Sequence, residues 1–120
     1  MPILKNPRSK GTRFELEIAD KIRKAGLDPL VRRTPMSGAI KGWSGDLTTP
    51  NIPIHWELKK QETWSPLEYY KQAMDERATG RYIPVVVMGK NNIEPFVFFS
   101  FNDFLTILYY SLKGGLKEET

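Results

Sequence analysis

The 120-residue chain contains no cysteine, which removes disulfides, thiolate metal centres and cysteine nucleophiles together. With a single histidine, His55, and no thiolate, it also lacks the usual donor set of a zinc centre. Serine chemistry has no local support, because Ser37, Ser44 and Ser65 have no histidine base at any local spacing. There is no glycine-rich phosphate loop, which argues against a nucleotide hydrolase. No apolar window approaches the length of a membrane span, and the N-terminus lacks the apolar run of a signal peptide. Internal repeats and low-complexity segments are absent as well. These absences leave a cytoplasmic location as the expectation, the host cytoplasm if the chain is viral.

What is present is ordinary for a globular domain: 40% hydrophobic and 27% charged residues, in a length that suits one core. The charge is unevenly spread. Through residue 41 there are ten Lys/Arg against four Asp/Glu, a net of +6, and the remainder carries eight against ten, a net of −2. A basic N-terminal third on a mildly acidic remainder suits a polyanion, with nucleic acid the leading partner. A solvated face serving solubility is the plainer reading of the same charge. Residues 1–10 read as an irregular basic arm, too poor in apolar residues to anchor on a membrane.

Periodicity predicts a helix over 12–25 with Phe14, Ile18, Ile22 and Ala25 as its core stripe and Gly26 as its stop. Glu17 shares a solvated face with Asp20, Lys21 and Lys24. Glu15 instead flanks the apolar stripe, where an acid needs a partner: a basic residue or a metal ion. A strand around 30–33 and a Pro/Ser/Gly-rich, mobile loop over 34–44 follow. Ser65-Pro66-Leu67-Glu68 predicts a capping box opening a second helix to about residue 78, buried through Leu67, Tyr70, Ala73 and Met74. Lys71 and Gln72 lie off that stripe and are expected in solvent. The run 83–88 predicts a strand covered on both faces, and 95–100 another. A final helix over about 102–112 is apolar on a broad side, which suits a subunit interface or plain core packing, and Gly114-Gly115 should end it ahead of a frayed tail at 116–120. The order is αβββαββα, an α/β class with a mixed sheet between helices.

The chemistry concentrates between Gly45-Asp46 and Trp56-Glu57-Leu58-Lys59. In a strand, Ile54, Trp56 and Leu58 face one way, and His55, Glu57 and Lys59 the other. Phosphodiester cleavage needs an activated water and stabilisation of charge on phosphorus oxygens, which divalent ions supply. Magnesium takes oxygen ligands and keeps several waters, so few carboxylates suffice. Asp46 and Glu57 are the candidate ligands, with the Leu58 carbonyl between Glu57 and Lys59, and Lys59 is placed to steady the developing charge. Glu57 with Lys59 also reads as a same-face ion pair, and His55 as a hydrogen-bonded bystander.

The order of several motifs resolves more than any one of them. Lys10-Gly11-Thr12-Arg13-Phe14-Glu15 opens the first helix; Val31-Arg32-Arg33-Thr34-Pro35-Met36-Ser37-Gly38, then Gly45-Asp46, then Glu57-Leu58-Lys59 follow. This resembles the archaeal-type Holliday junction resolvases, within the PD-(D/E)XK nuclease superfamily, over roughly residues 10–90. The resemblance implies a restriction-endonuclease-like core, a mixed central sheet of about five strands flanked by helices, in one nuclease domain over residues 1–120. It implies a metal-dependent endonuclease of DNA recombination and repair, acting on four-way junctions as a homodimer, with one or two Mg2+ per site and Mn2+ as substitute.

By the same resemblance Glu15 is a catalytic metal ligand beside Asp46, Glu57 and Lys59, Ser37 lies near the scissile phosphate, and Gln72 is an auxiliary group. The aspartate follows Gly45 rather than the family's proline. Arg8, Lys10, Arg13, Arg32, Arg33 and Lys41 are the expected phosphate contacts, which would position DNA without reading its sequence. Two alternatives stand: another nuclease of the superfamily, restriction-like or replication-associated, or a non-catalytic DNA-binding module on the same fold. A binding module has no reason to keep Glu15, Asp46, Glu57 and Lys59 together.

Overall fold

The computed structural model describes residues 7–35 and 45–119, with side chains over 11–35 and 45–114. Its elements follow the expected order: α1 (Pro7–Lys24), β1 (Arg32–Arg33), β2 (Leu47–Thr48), β3 (Ile54–Lys60), α2 (Pro66–Glu76), β4 (Ile83–Gly89), β5 (Phe96–Phe98) and α3 (Phe101–Glu119).

Helix α1 begins five residues earlier than periodicity predicts, so the second half of the expected basic arm is helical. The cause is Pro7 at the first position, where a fixed φ suits the helix and the missing N–H costs nothing. Gly26, at φ +77°, ends it as expected. Its amide donates to the Arg23 carbonyl (3.0 Å) and the Leu27 amide to the Ile22 carbonyl (3.3 Å), a Schellman closure. Phe14, Ile18 and Ile22 are buried, and Ala19 takes the place expected for Ala25, which is exposed.

Strands β3, β4 and β5 form a mixed sheet, parallel between β3 and β4 and antiparallel between β4 and β5. The expected central sheet of about five strands is instead two ladders among the described residues, because β1 and β2 pair only with each other. The interruption lies at Gly45-Asp46. There the Asp46 amide donates to the Trp56 carbonyl (2.7 Å), and the chain turns away before a ladder can form. The α1 stripe packs on the face of β3 and β4 that carries Trp56, Val85 and Val87, with Ile54 and Leu58 at its margin. Each such burial contributes about 1.5–3 kcal/mol. Strand β4 is covered on both faces, as its unbroken apolar run predicts.

The β2–β3 turn is tied to the end of α1 by Asp28, which is buried and accepts from the Asn51 amide (2.9 Å), the Asn51 side chain (3.0 Å) and the Leu30 amide (3.0 Å). Burial pushes its carboxyl up, but the hydrogen bonds from Asn51 and Leu30 outweigh that and hold it below the usual value.

Helix α2 departs from expectation in two ways. Ser65 makes no side-chain cap, and the helix starts on Pro66 with the Ser65 carbonyl accepting the Tyr69 amide at 3.1 Å. Its buried face is Ala73 alone, with Leu67 and Met74 exposed and Tyr70 half-buried edge-on to Phe98. Helix α3 is capped by Ser100, whose Oγ accepts the Asp103 amide (3.1 Å), and runs through Gly114-Gly115 instead of ending there. It meets the body through the Phe99–Phe104 ring contact, and most of its apolar side is exposed, so core packing does not account for that side. No described helix is long and apolar enough to cross a membrane.

Gly45 sits at φ +81°, and a Cβ there would fall 2.6 Å from both the Trp56 nitrogen and oxygen. Gly45→Ala should therefore lower stability by roughly 2–4 kcal/mol, through left-handed strain and collision with backbone that cannot yield. Chemical denaturation of the variant beside the parent measures this.

Candidate active site

Asp46 is held at three points. Its carbonyl accepts the Thr34 amide (3.0 Å), its amide donates to Trp56, and its Oδ2 accepts the Leu58 amide (2.8 Å). The carboxylate thus takes the place of a neighbouring strand along the open edge of β3. The N–H and C=O of one strand residue point to the same edge, so the Leu58 carbonyl also faces the side that Asp46 occupies.

Burial raises the Asp46 carboxyl from its ordinary value of 3.8 to about 6. The Leu58 hydrogen bond opposes the shift, the carboxylates of Glu57 and Glu15 add to it, and the Lys59 amine opposes it. Three acids and one amine, contributed by α1, the start of β2 and β3, therefore share one field. Glu15 is half-buried, and its Oε1 accepts from Arg33 Nε at 2.7 Å; Arg33 also reaches Thr12 at 3.4 Å. Of the two partners open to Glu15 in the sequence, the basic one is in place.

Glu57 is buried on the opposite face of β3 from the α1 core. Its Oε2 lies 3.4 Å from Lys59 Nζ and its Oε1 3.4 Å from His55 Nε2. Lys59 also lies over the Tyr69 ring, 5.3 Å from its centre. Gln72, expected in solvent, is half-buried on the same side and donates to Glu76 Oε2 at 3.2 Å. His55 is buried, and the ligand atoms of His55, Glu57 and Glu76 lie within 4.8 Å of one another. Glu76 had no sequence signal, since it lies nineteen residues past Glu57 and only the crossover through α2 brings the two together.

The expected phosphate contacts are unevenly described. Arg13 and Arg32 are exposed, and Arg33 is engaged with Glu15. Ser37, Lys41 and most of the 34–44 loop lie outside the described residues, as do the side chains of Arg8 and Lys10.

The chain matches, over residues 6–114, the family described as "Phage putative PDDEXK endonuclease". The chain belongs to that family. This PDDEXK chain is thus a nuclease of the PD-(D/E)XK kind, a superfamily that generally uses divalent metals, and the family implies a DNA substrate. The match supports the superfamily without singling out the archaeal junction resolvases. No curated protein and no solved structure matches the chain. The donor set fits a hard divalent ion: a buried carboxylate raised by its burial and, to a lesser degree, by two neighbouring acids, beside a backbone carbonyl.

Because the folded pKa of Asp46 lies above its unfolded value, the folded state holds the extra proton between pH 3.8 and about 6. Stability from this group is greatest below that window, falls through it as pH rises, and stays reduced above it. The cost is on the order of 2–3 kcal/mol. Asp46→Asn keeps an acceptor for Leu58 and should melt higher than the parent at pH 8, with the difference shrinking toward pH 4. Added Mg2+ should raise the parent's melting temperature and leave that of the variant unchanged.

Proposed function

We propose that the chain is a metal-dependent DNA endonuclease that resolves four-way junctions by paired phosphodiester hydrolysis in a homodimer. The observation that carries the catalytic part is the raised carboxyl of Asp46, pushed up by burial first and then by the charges of Glu57 and Glu15, and opposed by the Leu58 hydrogen bond and Lys59. Asp46, Glu57, Glu15 and the Leu58 carbonyl would hold Mg2+, one or two ions per site, with Mn2+ as substitute. A bound ion of this kind lowers the pKa of a water and offsets charge on the phosphoryl oxygens.

The residues divide the remaining work. Lys59 orients the attacking water and steadies the negative charge that grows on the phosphate. The water oxygen bonds to phosphorus, its proton passes to solvent, and the bridging P–O bond breaks with the leaving oxygen taking up a proton. Arg33, at the edge of the site, holds Glu15 and can exchange that contact for a phosphate. Arg8, Lys10, Arg13, Arg32 and Lys41 continue the track along the DNA backbone, Ser37 approaches the scissile phosphate, and Gln72 supports the α2 side. In this reading residues 1–120 make one nuclease domain, cytoplasmic (host cytoplasm if viral), serving recombination and repair.

The junction substrate is supported by the order Lys10-Gly11…Glu15, Arg32-Arg33…Ser37-Gly38, Gly45-Asp46 and Glu57-Leu58-Lys59. The homodimer is supported by α3. Phe101, Leu105, Leu108 and Leu112 recur at alternating spacings of four and three, the pattern of a helix-pairing seam, and all are exposed.

Incubation with a four-way junction, a matched linear duplex and a single strand, with Mg2+ or chelator, tests the activity. The junction should be cut only with metal, and Asp46→Asn should abolish cutting while still binding the junction. Equal cutting of the linear duplex would favour the restriction-like or replication-associated alternative. Binding to all three without any cleavage would favour the DNA-binding module. Sedimentation should give twice the 13.8 kDa chain mass, and Leu105→Asp with Leu108→Asp should return the monomer.

A further inference from the structure

The face of β3 turned toward α2 carries a second set of donors. Strand alternation places His55 and Glu57 on that face, and α2 brings Glu76 over them. One imidazole nitrogen and two carboxylate oxygens lie within 4.8 Å of one another, close enough to share one ion. We propose that His55, Glu57 and Glu76 form a second divalent-cation site that takes a first-row transition ion, Mn2+, in preference to Mg2+.

Three observations carry the site. The first is burial: the His55 and Glu57 side chains are 1% and 7% exposed. A buried carboxylate is costly without close compensation. Its contacts with His55 at Oε1 and with the Lys59 amine at Oε2 are each 3.4 Å, longer than ordinary N–H···O hydrogen bonds. The second is orientation. Gln72 donates to Glu76 Oε2, which steers the one exposed member of the trio. The third is donor chemistry: an imidazole nitrogen among carboxylates suits manganese, iron or zinc, whereas magnesium is held by oxygen and water.

Glu57 presents its two oxygens in different directions, one toward Lys59 and one toward His55. It can therefore serve this site and the Asp46 site at once. The inference shares Glu57 with the proposed catalytic centre, but it concerns binding and can be read without DNA.

The test is Mn2+ titration of the full chain at pH 7.5, with the free ion followed by electron paramagnetic resonance. The parent should bind at least two Mn2+ per chain. Asp46→Asn should lose one of them, and Glu76→Gln should lose the other, weakening its Kd at least tenfold. Excess Mg2+ should displace the Asp46 ion and leave the second in place. Pulsed resonance on Mn2+-loaded Asp46→Asn should show coupling to an imidazole 14N, and His55→Gln should remove it. Glu76→Gln binding as many ions as the parent would overturn the proposal, as would the absence of 14N coupling. Glu76 is exposed, so its variant should fold normally, which a thermal melt checks. Parallel cleavage by the parent in Mg2+ reads the nuclease assignment separately, and its failure leaves the binding result intact.

Discussion

The hydrogen bonds of Asp46 are the constraint on which the rest of the site depends. Its backbone bridges the short β1–β2 ladder to β3, through Thr34 on one side and Trp56 on the other, and its carboxylate caps Leu58. The two sheets are otherwise separate ladders among the described residues. Only a glycine fits at residue 45, because φ is +81° there and a Cβ would fall 2.6 Å from the Trp56 backbone. The acid proposed to bind the metal and the residue that stitches the strands are therefore the same, Asp46.

This arrangement holds charge under tension. Asp46 stays partly protonated up to about pH 6 because it is buried beside Glu57 and Glu15. Lys59 and Arg33 relieve that repulsion without cancelling it, one at 3.4 Å from Glu57 and the other at 2.7 Å from Glu15. Charge held this way costs stability, which a cation bound at the proposed site would return. The same tension extends through β3 to its other face, where Glu57 meets His55 and Glu76.

Strand β3 separates two kinds of work. Trp56, with Ile54 and Leu58 at its margin, joins the α1 core and fixes the strand; His55, Glu57 and Lys59 face α2 and carry polar chemistry. The parallel β3–β4 ladder makes α2 the crossover, and the crossover is what delivers Gln72 and Glu76 to that face. Helix α3 stands apart from both faces and keeps an apolar seam outward.

By itself the sequence determined what is local. Helical spacing named Phe14, Ile18 and Ile22 as a buried stripe, Gly26 as a stop, and the run from Ile83 as a doubly covered strand. Strand alternation separated Trp56 from Glu57, and ordered motifs identified a PD-(D/E)XK nuclease. Tertiary structure decided what depends on contacts between distant segments: the break between the two ladders at Gly45, the Arg33–Glu15 pair, and the joining of Glu76 to His55 and Glu57. It also decided that α3 continues through its glycine pair and that Leu67 and Met74 stay in solvent. Periodicity reports which face of an element is apolar. Whether another element comes to cover that face is set by the path of the whole chain.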